Sequence, residues 1–264
     1  MRTTCEKIQE ATRSRWLARW GEKPKATIRL FCFPFAGGST NTYRVWQGLL
    51  PEPIDVVAVQ LPGRGERLSE SPFQRLSEIV EALGRELIPY FDKPFAFFGH
   101  SMGALISFEL TQWLRKHHQT MPSHLFVSGH RAPQVPKAIA PTWDLPEPEF
   151  IERVRELNGT PQEVLDNPEL MQLMIPLLRA DFAVCETYEY QPQSVLDCCL
   201  TVFGGVGDLE SPYEHLTPWR EQTSAPYKLH MLPGDHFFVQ TAHVEITRII
   251  AAELEKVGKM RALN

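Results

Sequence analysis

The feature that most constrains this chain is a glycine-flanked serine, Gly99-His100-Ser101-Met102-Gly103, set between segments of different periodicity. Ahead of it, Phe95-Ala96-Phe97-Phe98 carries no charge and reads as a strand buried on both faces. Behind it, Leu105, Phe108 and Trp113 hold a helical stripe, and Arg115-Lys116-His117-His118 suit a helix C-terminus. A serine on a tight turn from buried strand to helix has its hydroxyl held out at a sheet edge, and the glycines permit the bend. The plain alternative is a glycine-rich turn with an inert serine, and the rest of the chain argues against it.

Buried strands alternate with helices along most of the sequence. Strands are predicted from Thr27 to Phe33, Ile54 to Leu61, Phe95 to Phe98, Leu125 to Ser128, Cys198 to Phe203 and Tyr227 to Leu232. Helices are predicted after Ser39, from Leu76 to Tyr90 and from Glu245 to Val257. This order predicts an α/β fold, with a mainly parallel central sheet covered by helices on both faces. With 264 residues, 43% of them hydrophobic, the chain can bury one large core, so residues 1–264 read as a single domain.

Two stretches depart from the alternation. Residues 1–25 read as an N-terminal helical arm in which Trp16, Leu17 and Trp20 dock on the body. Residues 134–190 lose all strand signals. Helical pieces from Glu147 to Leu157, Thr160 to Leu165 and Pro168 to about Tyr188 alternate with Pro and Gly, and Pro176 is expected to kink or split the last. An all-helical insert in such a chain reads as a lid. Its Phe150, Leu170, Met171, Met174, Ile175 and Phe182 either roof an acyl pocket or pack the insert onto the core.

The net charge of −5 gives no bulk attraction to nucleic acid or anionic membrane, and no apolar run approaches a membrane span. The first twenty residues lack the apolar core of a signal peptide. Five cysteines fit neither a disulfide framework nor a zinc site, so reduced thiols in the cytoplasm are expected, with no metal and no cofactor.

A serine hydroxyl needs a base to take its proton and a carboxylate to orient that base. The chain supplies Ser101, Asp208 and His236 in that order, each just after a predicted strand. In a parallel sheet all three emerge at one carboxyl edge, and this is the chain order of α/β-hydrolases. His130 is the serious competitor for the base. Asp235 adjoins the histidine and so points away from it, and Asp181 lies in the insert. The oxyanion formed on attack needs two N–H donors. Met102, opening the helix, is expected to give one, and Ala36, in the loop after the first strand, the other.

Four stretches then carry a resemblance: Phe31-Cys32-Phe33-Pro34-Phe35-Ala36-Gly37-Gly38-Ser39, Gln60-Leu61-Pro62-Gly63-Arg64-Gly65-Glu66-Arg67, Phe98-Gly99-His100-Ser101-Met102-Gly103-Ala104 and Pro233-Gly234-Asp235-His236-Phe237-Phe238. In this order they resemble the type II thioesterases, α/β-hydrolases that accompany polyketide synthases, nonribosomal peptide synthetases and animal fatty acid synthase. The resemblance implies hydrolysis of acyl groups from the phosphopantetheine thiol of acyl- or peptidyl-carrier proteins, often to clear misprimed carriers. It implies nucleophile, acid and base at Ser101, Asp208 and His236, and an oxyanion loop around Ala36. Many members have histidine where this chain has Phe35. Phe35, Gly37, Arg64, Met171 and Met174 are expected to contact substrate. A carrier-docking patch including Arg64, Arg67 or Arg131 and a monomeric enzyme are further expectations. A small-molecule esterase or lipase with the same triad is the competing enzyme, and a hydrolase-fold scaffold without activity is the reading from another class.

Overall fold

The computed structural model describes residues 14–262 apart from 22, 138 and 139. Seven strands form the sheet: β1 (Leu17–Ala18), β2 (Ile28–Phe33), β3 (Ile54–Val59), β4 (Phe95–His100), β5 (His124–Ser128), β6 (Cys199–Gly205) and β7 (Tyr227–Leu232). Their spatial order is β1-β3-β2-β4-β5-β6-β7. Among the described residues only β1 runs antiparallel to its neighbour. The chain steps from β2 outward to β3, then returns to lay β4 on the other side of β2. A crevice therefore opens beyond the carboxyl ends of β2 and β4, where open α/β sheets hold their sites.

The central strands are buried along their whole length because helices cover both faces. Helices Leu76–Leu87 and Met102–His118 pack on one face, around Phe31, Phe97, Leu83 and Phe108. The closing helix, His243–Ala262, and the short turns Thr40–Tyr43 and Trp46–Leu49 pack on the other, around Trp46, Phe98, Phe203 and Ile250. The one charge inside β2, Arg29, is satisfied by Asp55 at 3.4 Å and Asp92 at 2.5 Å.

The predicted N-terminal helical arm is not what the described part of 1–25 forms; residues 1–13 of it lie outside the described residues. Leu17–Ala18 instead extends the sheet, Leu17 pairing with Val59. Docking of the aromatic residues is as expected. Trp16 stacks on Phe73, with the Arg67 guanidinium 3.9 Å above its ring, and Trp20 packs against the second cluster. The side-chain contacts, not local helix propensity, decide this stretch.

The insert forms helices Glu147–Glu156, Gln162–Leu165 and Pro168–Glu186 with a small core of its own, Phe150, Val154, Leu165, Met171, Ile175 and Leu178. Of the kink or split expected at Pro176, the split does not occur: the last helix runs on from Pro168 to Glu186. Proline frees the carbonyl four residues back. Here that residue is Gln172, exposed like Pro176 itself, so the freed carbonyl lies on the solvent side of the helix. Asn167 caps the helix, its side-chain oxygen accepting from the Glu169 and Leu170 amides.

Candidate active site

The turn after β4 fixes Ser101, the candidate nucleophile. Ser101 has φ 52° and ψ −117°, a conformation that costs roughly 1–3 kcal/mol for a non-glycine residue. Neighbouring bonds over-determine it. Its amide donates to the Ser128 carbonyl at 2.8 Å, and its carbonyl accepts from Ala104 at 2.9 Å. Tight packing explains the flanking glycines. A Cβ on Gly99 would lie 1.9 Å from the Gly103 carbonyl oxygen, and one on Gly103 would lie 2.3 Å from that of Phe33.

Loops after β6 and β7 bring the other two residues to it. His236 Nε2 lies 3.0 Å from Ser101 Oγ, and His236 Nδ1 lies 3.0 Å from Asp208 Oδ2. Asp208 is fully buried, and its other oxygen accepts the Glu210 and Ser211 amides at 2.9 and 3.1 Å. Those two bonds orient the carboxylate so that Oδ2 faces the imidazole. The sequence expectation for Ser101, Asp208 and His236 thus corresponds to one continuous hydrogen-bonded chain. Asp235 turns away, accepting from the Phe237 amide and the Asn158 side chain.

Two other histidines flank the group. His100 is fully buried, with Nδ1 2.9 Å from Ser128 Oγ, its ring edge-on to Phe35, and burial holds it neutral. Phe35 also meets Phe237 edge-on, their centroids 5.3 Å apart, so an apolar contact stands where many family members have a histidine. His130, the competing base, donates from Nδ1 to the Arg131 carbonyl at 2.7 Å. Burial, with Arg131 nearby, pushes it down to about 3.

Burial likewise pushes His124, at the far end of β5, down to about 4. Both rings are neutral when folded and gain protons on unfolding, near the ordinary ~6.5. The unfolded chain therefore binds more protons between ~6.5 and about 4, so this stability is present at neutral pH and lost through that window on acidification. We expect the urea midpoint to fall steadily between pH 7 and pH 4.5. His124→Gln should decline less steeply, and an unchanged slope in that variant would assign the effect to other groups.

A cavity of about 520 Å³ opens over Ser101 and His236. Its wall includes Phe35, Ala36, Gly37 and Gly38 from the loop after β2, and Val154, Leu157, Met174, Leu178 and Phe182 from the insert. Arg64 and Met171 do not line it. Met171 is buried inside the insert's own core, its apolar body satisfied there. Arg64 lies beneath the loop, its guanidinium paired bidentately with Asp181 at 2.7 and 2.9 Å. Asp181, which lies in the insert and is therefore not the expected acid, is instead the partner of Arg64. No local signal links two residues 117 positions apart. Arg67 is buried as well, paired with Glu70, so of the three arginines expected in a docking patch only Arg131 reaches the cavity wall.

Among the described residues no cluster of His, Cys, Asp or Glu could hold a metal ion, and no helix is long and apolar enough to cross a membrane.

Comparison with known proteins agrees with this chemistry. The profile of the thioesterase domain family matches residues 28–254. The linear gramicidin dehydrogenase LgrE of Brevibacillus parabrevis is 44% identical over 245 residues, covering 92% of this chain and 93% of that protein. The gramicidin S biosynthesis protein GrsT of Aneurinibacillus migulanus is 43% identical over 244 residues, covering 92% and 95%. The solved structure of the RedJ thioesterase from the prodiginine pathway of Streptomyces coelicolor superposes with a TM-score of 0.83 at 35% identity, covering 88% of this chain and 92% of that one. The first relative bears a dehydrogenase's name. This chain has no G-x-G-x-x-G fingerprint for a dinucleotide.

Proposed function

This chain belongs to the thioesterase family and is a thioester hydrolase of the type II kind, and from that premise we propose that it clears acyl groups from carrier-bound phosphopantetheine through an acyl-enzyme on Ser101. The observation that carries the mechanism is the unbroken Ser101–His236–Asp208 hydrogen-bond chain opening into the cavity beneath the insert. His236 Nε2 takes the hydroxyl proton as Ser101 Oγ bonds to the thioester carbon. The carbonyl oxygen becomes an oxyanion. The Met102 amide meets it from the first turn of its helix, where no intrahelical acceptor exists, and the Ala36 amide meets it from the loop after β2. The C–S bond then breaks, and the proton on His236 passes to the departing pantetheine sulfur. Water repeats the sequence on the acyl-serine, releasing a carboxylic acid and restoring the hydroxyl.

Supporting the carrier as substrate are the synthesis pathways in which GrsT and RedJ are named. The gramicidin-biosynthesis relatives, at 44% and 43% identity against 32% for the rat medium-chain fatty acid synthase thioesterase, favour a setting like theirs over fatty acid synthesis. The insert (residues 134–190) is read as the lid, since its helices form one wall of the cavity. A covered nucleophile suits a long thin arm. The enzyme is taken to act as a single chain, because triad, oxyanion amides and cavity wall all come from one. The unpaired thiols Cys32, Cys185, Cys198 and Cys199 suit a cytoplasmic setting.

A fluorophosphonate should label Ser101, mapped by mass spectrometry. With one acyl group on a carrier, on coenzyme A and on a simple thiol, carrier contacts should raise kcat/KM at least ~10-fold, about 1.4 kcal/mol. Equal values would leave a general thioesterase, and faster cleavage of oxygen esters would favour the esterase.

A further inference from the structure

Beneath the loop after β2 lies an ion pair that the catalytic steps above do not use. Arg64 and Asp181 are 4% and 1% exposed. Arg64 comes from the Pro62–Arg67 turn after β3, and Asp181 from the long helix of the insert. Removing two charges from water is expensive, and an apolar pair of similar volume is often as stable or more so. Stability alone is therefore a weak reason for the pair, and its remaining bonds show what it touches.

Asp181 Oδ2 accepts the Gly37 amide at 2.8 Å as well as Arg64 Nη1 at 2.9 Å. Arg64 Nη1 also donates to the Gly38 carbonyl at 3.2 Å. Both contacts fall on one tight turn, closed by the Gly38 amide donating to the Phe35 carbonyl at 2.8 Å. Gly37 has φ +72°, the value the third residue of a type II turn requires. The Phe35 carbonyl and the Ala36 amide belong to one planar peptide, pointing opposite ways. Holding that carbonyl therefore sets the direction of the Ala36 N–H. The carboxylate fixes the next peptide through Gly37, and the guanidinium fixes the end of the turn through Gly38.

We propose that Asp181 and Arg64 are positioning residues for the oxyanion loop, holding the Phe35–Gly38 turn in the geometry that offers the Ala36 amide to the reacting carbonyl. They touch no substrate. Because Asp181 belongs to the insert, the pair also ties the Pro168–Glu186 helix to the catalytic edge, so this helix stays seated while the active site works. The inference rests on the acyl-enzyme reading and on Ala36 as a donor.

The test separates positioning from stability. In Arg64→Met/Asp181→Leu both charges are replaced by apolar groups, so folding is retained while Gly37 and Gly38 lose their partners. Thermal midpoint, kcat and KM on an acyl N-acetylcysteamine thioester are measured, with the affinity of a trifluoromethyl ketone carrying the same acyl chain. Ser101 adds to that ketone and leaves an oxyanion in the same position as the reaction does. We expect a midpoint within a few degrees of the parent, KM within ~3-fold, kcat lower by at least ~30-fold and ketone affinity weakened in proportion. Should the double variant not fold, Asp181→Asn decides, since it preserves volume and an acceptor for Gly37. It should lose roughly 5–10-fold in kcat with KM held and ketone affinity following. A folded variant with kcat and ketone affinity within ~3-fold of the parent overturns the proposal. Failure of the fluorophosphonate to label Ser101 in the parent would remove the acyl-enzyme reading instead, a result independent of these ratios.

Discussion

Asp208→Asn is expected to lower kcat by about ten-thousand-fold, while Asp235→Asn, one residue from the base, leaves it within ~10-fold. Bonds around each carboxylate give the reason. Asp208 Oδ1 accepts two backbone amides, Glu210 and Ser211, so an asparagine there must keep its oxygen on that side. Its NH₂ group then faces His236 Nδ1, where Asp208 Oδ2 lay 3.0 Å away. A donor facing Nδ1 forces that nitrogen to accept, and the ring proton moves to Nε2. A protonated Nε2 cannot take the Ser101 proton, so the histidine is trapped in the wrong tautomer without any change in shape. Asp235 makes no such demand. Its oxygens serve the Phe237 amide and the Asn158 side chain, and an asparagine can satisfy both because the Asn158 amide can turn over. Steady-state kcat for both variants, with thermal midpoints to show that each is folded, checks this. A reversed order would move the acid to Asp235.

The hydrogen-bonded set Ser101, His236 and Asp208 was legible in the sequence because each member follows a strand, and in a parallel sheet that places all three at one edge. Phe95 to His100 and Cys199 to Gly205 carry their burial in their composition, so the ends of these strands could be read within about two residues; Tyr227 to Leu232, mostly half-buried at the sheet edge, was bounded instead by the Pro226 and Pro233 breaks. What escaped was any contact whose partners obey no local rule. Arg64 drew attention as a charge in a motif, but its role depends on Asp181 in a helix whose docking angle no periodicity encodes. Leu17–Ala18 reads as helix by pattern and becomes a strand because β3 offers an open edge and the Trp16 ring finds Phe73 and Arg67. Met171 and Met174 lie three residues apart on one helix. Only Met174 reaches the cavity, because the insert builds a core that takes Met171.

Gly103→Ala is expected to destabilise the chain by ~3 kcal/mol or more and to lower kcat by at least ~100-fold in whatever remains folded. Helix propensity alone predicts the opposite sign. Gly103 lies in the first turn of Met102–His118, and alanine is favoured over glycine in helices by about 1 kcal/mol. Packing reverses that preference. The new methyl carbon would lie 2.3 Å from the Phe33 carbonyl oxygen, 2.8 Å from its carbon and 2.9 Å from the Pro34 oxygen. These are backbone atoms at the end of β2, and the Phe33 carbonyl is further held by the Tyr43 hydroxyl at 2.7 Å, so neither side can yield by a rotamer change. Either the helix withdraws, taking the Met102 amide with it, or the end of β2 withdraws, taking the loop that bears Ala36. Both displacements separate the two proposed oxyanion donors, which couples the loss of stability to the loss of turnover. Gly48→Ala is the matched control, since a methyl there meets nothing within 4 Å in the helix Trp46–Leu49. It should leave kcat unchanged and stability equal or slightly raised. Denaturant midpoints and kcat for the two variants decide the matter, and a Gly103→Ala chain as stable as the parent would mean that helix and strand end can part at this contact without consequence.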